Sequence, residues 1–355
     1  MPIAFMLSMF FFGYVLTLFV GKFLSFKNDA LESYQFTKDP YIYIFLILLT
    51  GFVFVGFFAA DFKDLIVPFR FIWLLASFLF AGVIYFLFLL GIDKLVNLGV
   101  ILLSFVGAFG FVDRSSALDL IPVAPWLTIA GIAIIMSMIT LSARVLIGLP
   151  GIFAMVMVML SLGLILIACA GGVPFYLGLM AAVMFGVFAC VFQFNKWERQ
   201  LKINEGAVIS FMFLFCMLLL QGVNELAASS MFILTIYVLL ELLWSSFFYY
   251  LLRSREPHLF YDTVYFSIFE RGVLLSSVYT VVFKLCAINI VFALFQLYAQ
   301  NAFTLPCLGL VINFWLLSKV FYADNETKSI KEINKNFVED VKKEIVEIKQ
   351  HLKKD

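Results

Sequence analysis

Residues 148–194 read GLPGIFAMVMVMLSLGLILIACAGGVPFYLGLMAAVMFGVFACVFQF, and from Val145 to Asn195 no residue carries a charge. Gly171, Gly172 and Pro174 break the stretch into two apolar runs. A bilayer core about 30 Å thick needs about 20 apolar residues per helix, because only helices or closed barrels satisfy every backbone N–H and C=O in lipid. The runs are continuous rather than alternating with period two, so they predict spanning helices and not barrel strands.

The same pattern extends in both directions. Spans are expected at 2–22, 40–60, 66–91, 121–143, 148–170, 173–194, 207–223, 228–252, 272–298 and 301–322. Leu95 to Val112 is apolar enough for an eleventh, but it carries Gly99, Gly107 and Gly110 and ends in Asp113-Arg114, so an interfacial or re-entrant segment is expected there. The fold class is therefore an all-α, polytopic transmembrane bundle of about 10–11 helices, divided into a membrane domain (1–322) and a charged cytoplasmic tail (323–355). Composition agrees: 64% of the 355 residues are hydrophobic and 13% charged, against about 25% charged in a soluble domain. The first span lacks a cleavage site of small polar residues and reads as a retained anchor. No internal repeat is visible.

Charge placement gives orientation. Arg144, then Lys196, Arg199 and Lys202, then Arg253, Arg255 and Arg271, and the Lys-rich tail fall on one side, whereas the loops around Asn224-Glu225 and Gln300-Asn301 have no Lys or Arg. Cytoplasmic loops retain basic residues, so the basic side and the C-terminus are expected in the cytoplasm of a cell's inner membrane. Ten spans put the N-terminus inside, and eleven put it outside. Net charge is +1, which gives no basic surface for nucleic acid. The five cysteines have no paired spacing and there are two histidines, so zinc, haem and a disulfide framework are not expected. In the tail, Ile330, Ile333, Phe337, Val341, Ile345, Ile348 and Leu352 make one apolar stripe on a charged helix. Residues 328–352 thus offer either a coiled-coil-like surface for a protein partner or a solvated helix lying on the protein's own loops.

Several polar residues have a consistent order along the chain. Phe57-Phe58-Ala59-Ala60-Asp61-Phe62-Lys63-Asp64-Leu65 is followed by Arg70 in an apolar helix and by Asp93-Lys94-Leu95-Val96-Asn97-Leu98-Gly99. Gly148, Leu149 and Gly151 follow Arg144, and Phe192-Gln193-Phe194-Asn195 stands ten residues before Glu205 in Asn204-Glu205-Gly206-Ala207. This outline, over roughly residues 40–320, resembles the polyprenyl-phosphate N-acetylhexosamine-1-phosphate transferases, the glycosyltransferase family 4-like membrane enzymes that include undecaprenyl-phosphate GlcNAc-1-phosphate transferase and phospho-MurNAc-pentapeptide transferase. Asp61 and Asp64 match the second and third acids of the family's first motif, whose first acid is Ala60 here. The two asparagines of the next motif become Met138 and Leu141, and its two aspartates become Arg144 and Ile147. Glu205 takes the magnesium-ligand position with one extra methylene. The family's His-rich loop would fall near Pro257 to Phe266, where His258 is out of register, and Glu241 weakly matches another acid.

The resemblance implies catalytic roles for Asp61 and Asp64, Mg²⁺ held by Glu205, and contacts to polyprenyl phosphate and UDP-sugar from Asn195, Arg144 and Arg70, if the enzyme is active. Homodimers are implied as well. The replaced motif residues favour a catalytically degenerate member, a pseudoenzyme acting as partner or regulator in envelope glycan assembly. The alternatives are an active Mg²⁺-dependent transferase releasing UMP, and an unrelated transporter. Arg144 at an acid's position would repel Mg²⁺ and grip a phosphate instead. Taken alone, Asp61 and Asp64 also read as a solvated loop, Glu205 as an acid balanced by Lys202 or Arg199, and Lys284 as a snorkelling side chain.

Overall fold

The computed structural model describes residues 2–23, 39–60, 68–111, 125–147, 151–196, 203–222, 230, 232–241, 275–298 and 304–322. The helices are α1 (Pro2–Phe23), α2 (Pro40–Ala60), α3 (Pro68–Leu89), α4 (Asp93–Phe111) and α5 (Pro125–Ser142), which runs into a 3₁₀ turn at Ala143–Ile147. They continue with α6 (Ile152–Cys169), α7 (Phe175–Lys196), α8 (Glu205–Gly222), α9 (Leu275–Gln296) and α10 (Thr304–Tyr322), and a helical stretch covers Phe232–Glu241. Among the described residues there is no strand. The five segments Ile3–Lys22, Ile152–Cys169, Phe175–Phe194, Glu205–Gly222 and Val278–Gln296 are long and apolar enough to cross a membrane, and shorter apolar helices fill in between them. The tail, residues 323–355, lies outside the described residues.

Helix ends follow local chemistry. Pro40, Pro68 and Pro125 each open a helix; proline's fixed φ suits the first turn, where its missing N–H has no intrahelical partner to lose. Gly91 closes α3 at φ 70°. Its N–H donates to Phe88 O (2.9 Å) and that of Ile92 to Leu87 O (3.4 Å), a Schellman cap that needs a left-handed residue. Gly171 closes α6 in the same way at φ 78°.

The cap at Gly91 corrects the reading of Leu95 to Val112 as interfacial or re-entrant. Helix α4 starts two residues after the cap and runs unbroken for 19 residues, a length of about 28 Å at 1.5 Å per residue. Near its start Asn97 meets Arg144, and near its end Gly107 abuts Met217 on α8 while Gly110 abuts Trp73 at the start of α3. It lies antiparallel to α3 along its whole length. The glycines that suggested a break are contact points, because only a missing Cβ lets the Met217 and Trp73 side chains come so close.

An additional full-length helix reverses every element before it. The starts of α2, α4, α6, α8 and α9 and the ends of α3, α5, α7 and α10 gather at one end of the bundle, here the basic end. The pairs Asp39 with Tyr85, Tyr85 with Asn204, and Arg144 with Glu205 establish this, as do the contacts of Gly151 with Phe192 and Tyr279. Helix α1 runs parallel to α7, with Met6 beside Cys169 at one end and Tyr14 bonded to Gln193 toward the other. Lys22, Lys94 and Arg144 share the basic end; Ala60 and Arg70 stand at the opposite one.

Helix α8 is the axis. All its residues from Gly206 to Gly222 are buried, as a helix apolar on every side must be. Phe211 stacks on Phe45 of α2 (centroids 4.4 Å) and meets Phe188 of α7 edge-on (5.4 Å). Helices α1 and α7 pack backbone against backbone, since a Cβ on Gly186 would run into Phe10 O and one on Gly13 would come 2.5 Å from Val183 O. At α9 and α10 the buried Asn289 and Asn313 exchange amide hydrogen bonds (2.6 and 3.3 Å). Exposed Ile3, Leu7, Phe11, Val15 and Phe19 on α1 are what a lipid-facing surface requires.

Two substitutions separate packing glycines from open ones. Gly186→Val drives a side chain into backbone and is expected to cost about 1–3 kcal/mol or more, whereas Gly131→Ala meets nothing within 4 Å and should leave stability equal or slightly raised. Thermal denaturation of the detergent-solubilised protein measures both.

Candidate functional site

The basic end carries a connected set of polar side chains on five helices. Arg144 sits in the 3₁₀ turn that ends α5, and Glu205 is the first residue of α8. Arg144 Nε lies 2.8 Å from Glu205 Oε1, an ion-pair contact without full hydrogen-bond alignment. Its Nη2 donates to Asn97 Oδ1 of α4 at 2.6 Å. One guanidinium thus joins the ends of α4, α5 and α8.

The neighbouring residue extends the set. Asn204 caps α8, its Oδ1 accepting from the Ala207 N–H at 2.7 Å, which satisfies one of the N–H groups left without a partner in a helix's first turn. Asn204 Nδ2 donates to Tyr85 Oη of α3 at 3.1 Å, and Tyr85 Oη donates to Asp39 Oδ2 at 2.5 Å. Asp39 in turn caps α2, its Oδ1 accepting from the Tyr41 N–H at 2.9 Å. Two helix starts are thereby tied to one tyrosine. Glu205 also places a negative charge at the positive end of α8's dipole.

Of the residues singled out from the sequence, Arg144 and Glu205 are brought into contact, and Asn195 lies in the last turn of α7 at the same end, its side chain outside the described residues. Arg70 is in the first turn of α3 at the opposite end, its side chain likewise outside them. Asp61 and Asp64 are outside the described residues. Ala60, the last residue of α2, stands about 30 Å from the helix's Asp39 end, by 21 residues at 1.5 Å each. Glu241 is fully buried, and Lys284 is exposed near the middle of α9. His258 lies outside the described residues.

Among the described residues, those at the basic end do not fit the divalent cation that the family resemblance implies. Hard cations take several oxygen ligands, and here a guanidinium lies against Glu205, supplying the positive charge that a metal would bring. Among the described residues no group of three or more His, Cys, Asp or Glu side chains could hold a metal. Asp39, Tyr85 and the capping role of Asn204 were missed from sequence. Asp39-Pro40 and Asn204-Glu205 before apolar runs are capping signatures that could have revealed two of them; nothing local announces Tyr85. No protein-family model matches the chain, and no curated protein matches it.

The side chains of Arg144 and Glu205 keep 26% and 24% of their exposure, between a surface pair worth about 0–1 kcal/mol and a buried one whose breakage costs about 3–5. Arg144→Met or Glu205→Gln alone is expected to destabilise by about 1–3 kcal/mol, and the double variant by clearly less than the sum. A denaturation cycle over the four proteins tests this, strict additivity being the contrary result.

Proposed function

We propose that this chain is a non-catalytic relative of the polyprenyl-phosphate sugar-1-phosphate transferases, seated in the cytoplasmic membrane and serving as a partner or regulator in the assembly of lipid-linked envelope glycans. The observation that carries this reading is the contact between Arg144 and Glu205. At the position where an active relative would place a magnesium carboxylate, the carboxylate is neutralised by an arginine that itself replaces an acid. A charge exchange of this kind preserves the architecture while removing the metal. The position of Ala60, at the end of the bundle opposite Glu205, supports only the absence of catalysis, because the family's acids must meet around one diphosphate; it departs from the family's arrangement and leaves the kinship to rest on motif order and spacing. Order and spacing of the motif remnants support the kinship.

Orientation follows from charge. The basic end collects Lys22, Lys94 and Arg144 and adjoins the segments that carry Lys27, Lys38, Arg199 and Lys202. The opposite end has Arg70 and adjoins Lys63 and Arg114. By the positive-inside rule the basic end faces the cytoplasm, the N-terminus faces outward, and α10 returns the tail to the cytoplasm. There residues 328–352 offer their apolar stripe to a protein partner. Polyprenyl phosphate is the lipid class such a protein would meet.

The decisive assay supplies undecaprenyl phosphate, UDP-N-acetylhexosamine and Mg²⁺ or Mn²⁺ to the purified protein. No UMP release is expected, and no change in melting temperature when the divalent ion is added or chelated. Metal-dependent release abolished by Glu205→Gln would overturn the proposal. For orientation, a phosphatase reporter fused after Tyr322 should be silent and one fused before Pro2 active.

A further inference from the structure

The charges of the tail are not spread evenly about its apolar stripe. Ile330, Ile333, Phe337, Val341, Ile345, Ile348 and Leu352 recur at spacings of three and four residues, and Ile330, Val341 and Leu352 stand eleven apart, a repeat that keeps a stripe nearly straight along a helix. The segment lies outside the described residues; its periodicity and charge order are properties of the sequence. At about 100° per residue, Lys331, Lys335, Lys342 and Lys349 fall along one edge of the stripe, with no acid among them. Asp340, Glu344 and Glu347 fall along the other edge, with no Lys among them. Glu332, Glu339 and Lys343 take the face opposite the stripe.

This order selects among partners. From Ile330 to Leu352 five Lys and five acids cancel, so the segment as a whole is not drawn to an anionic lipid surface. Two copies of the segment are complementary. When identical helices join through their stripes in parallel, the basic edge of each meets the acidic edge of the other, and the attraction is made twice. In the antiparallel arrangement each edge meets its own kind, Lys against Lys and acid against acid. Charges flanking an apolar seam set partner choice and orientation in this way.

The membrane domain delivers tails in the parallel sense. Helix α10 runs antiparallel to α9, as the Asn289–Asn313 exchange and the approach of Gly309 to Phe292 require, and it ends at Tyr322 at the basic end. Seven residues separate Tyr322 from Ile330. Two copies in one bilayer share an orientation, so both tails leave the same surface in the same direction.

We propose that residues 330–352 pair in parallel with the same segment of a second copy, making the tail a self-recognition element beside the basic end of the bundle. The proposal rests on the reading of the tail as a pairing surface and names its partner; it requires neither kinship to any transferase nor catalysis. A segment about 35 Å long as a helix makes a short seam, and confinement of both copies to one membrane raises their effective concentration.

Cysteine crosslinking in isolated membranes tests it, in the full chain with its five cysteines replaced by alanine. Parallel pairing sets each stripe position against itself, so Ile333→Cys and Ile348→Cys should each form a disulfide-linked dimer under mild oxidation, about tenfold or more faster than Glu339→Cys on the opposite face, because a disulfide needs Cα atoms within about 7 Å. Antiparallel pairing would instead link Ile333→Cys to Ile348→Cys. In the Ile333→Cys chain, reversing the basic edge (Lys331→Glu, Lys335→Glu, Lys342→Glu, Lys349→Glu) or the acidic edge (Asp340→Lys, Glu344→Lys, Glu347→Lys) should slow crosslinking about tenfold. Coexpressing the two reversed chains should restore it as a mixed dimer. Crosslinking at Ile333→Cys and Ile348→Cys no faster than at Glu339→Cys, or indifferent to charge reversal, would overturn the proposal. UMP release would overturn the non-catalytic reading and leave the pairing standing, so the two fail separately.

Discussion

In lipid a charge cannot be left to bulk solvent, and the surroundings of Arg144 are arranged accordingly. The residue ends a span whose preceding turns carry no charge, and its guanidinium can be accommodated only at the bundle's rim and only with acceptors supplied by other helices. Glu205 and Asn97 supply them. Meeting that demand fixes three helix ends relative to one another, and Asn204, Tyr85 and Asp39 carry the same constraint on to α3 and α2. Most of the remaining described packing is apolar, the Asn289–Asn313 and Tyr14–Gln193 contacts apart, so much of the bundle's register at this end depends on these few polar contacts.

Packing beneath the polar end is set by size. Helix α8 is surrounded because it has no polar face to offer lipid headgroups or water. Aromatic contacts of Phe211 with α2 and α7 wedge its upper half, while Gly107 lets α4 approach its lower half. Glycine serves the same purpose between α1 and α7, where the carbonyls of Phe10 and Val183 occupy the space of absent side chains. Such close approaches compensate for the missing hydrophobic driving force between helices in a bilayer. The Asn289–Asn313 exchange adds the directional contact that α9 and α10 otherwise lack.

A functional reading of the chain turns on an exchange of charge. An acidic cluster that gathers a divalent ion and an Arg–Glu pair that gathers none can occupy the same helix ends with little change in the apolar body. On that proposal the protein keeps a polar, partly exposed surface at its basic end, where a guanidinium rather than a metal lies beside Glu205. Fold alone leaves the choice of chemistry open.

Helical character and the number of apolar runs were legible in the sequence, because a continuous run bounded by Pro, Gly or charge has few other solutions in a bilayer. The glycines at 99, 107 and 110 misled, since the same residue type marks a break in one context and a close helix contact in another; the cap at Gly91 and the facing side chains of Met217 and Trp73 decided between them. That one helix then reversed the sidedness of everything before it and set Ala60 apart from Glu205. Arg144 and Glu205 each stood out as residues, yet their pairing spans sixty-one positions and no local pattern encodes it. Sequence by itself determined that this is a helical membrane protein with a charged tail, because hydrophobicity is a property of each run alone. Only tertiary structure decided which polar residues share an end and which charges cancel, because those depend on the direction in which every helix crosses.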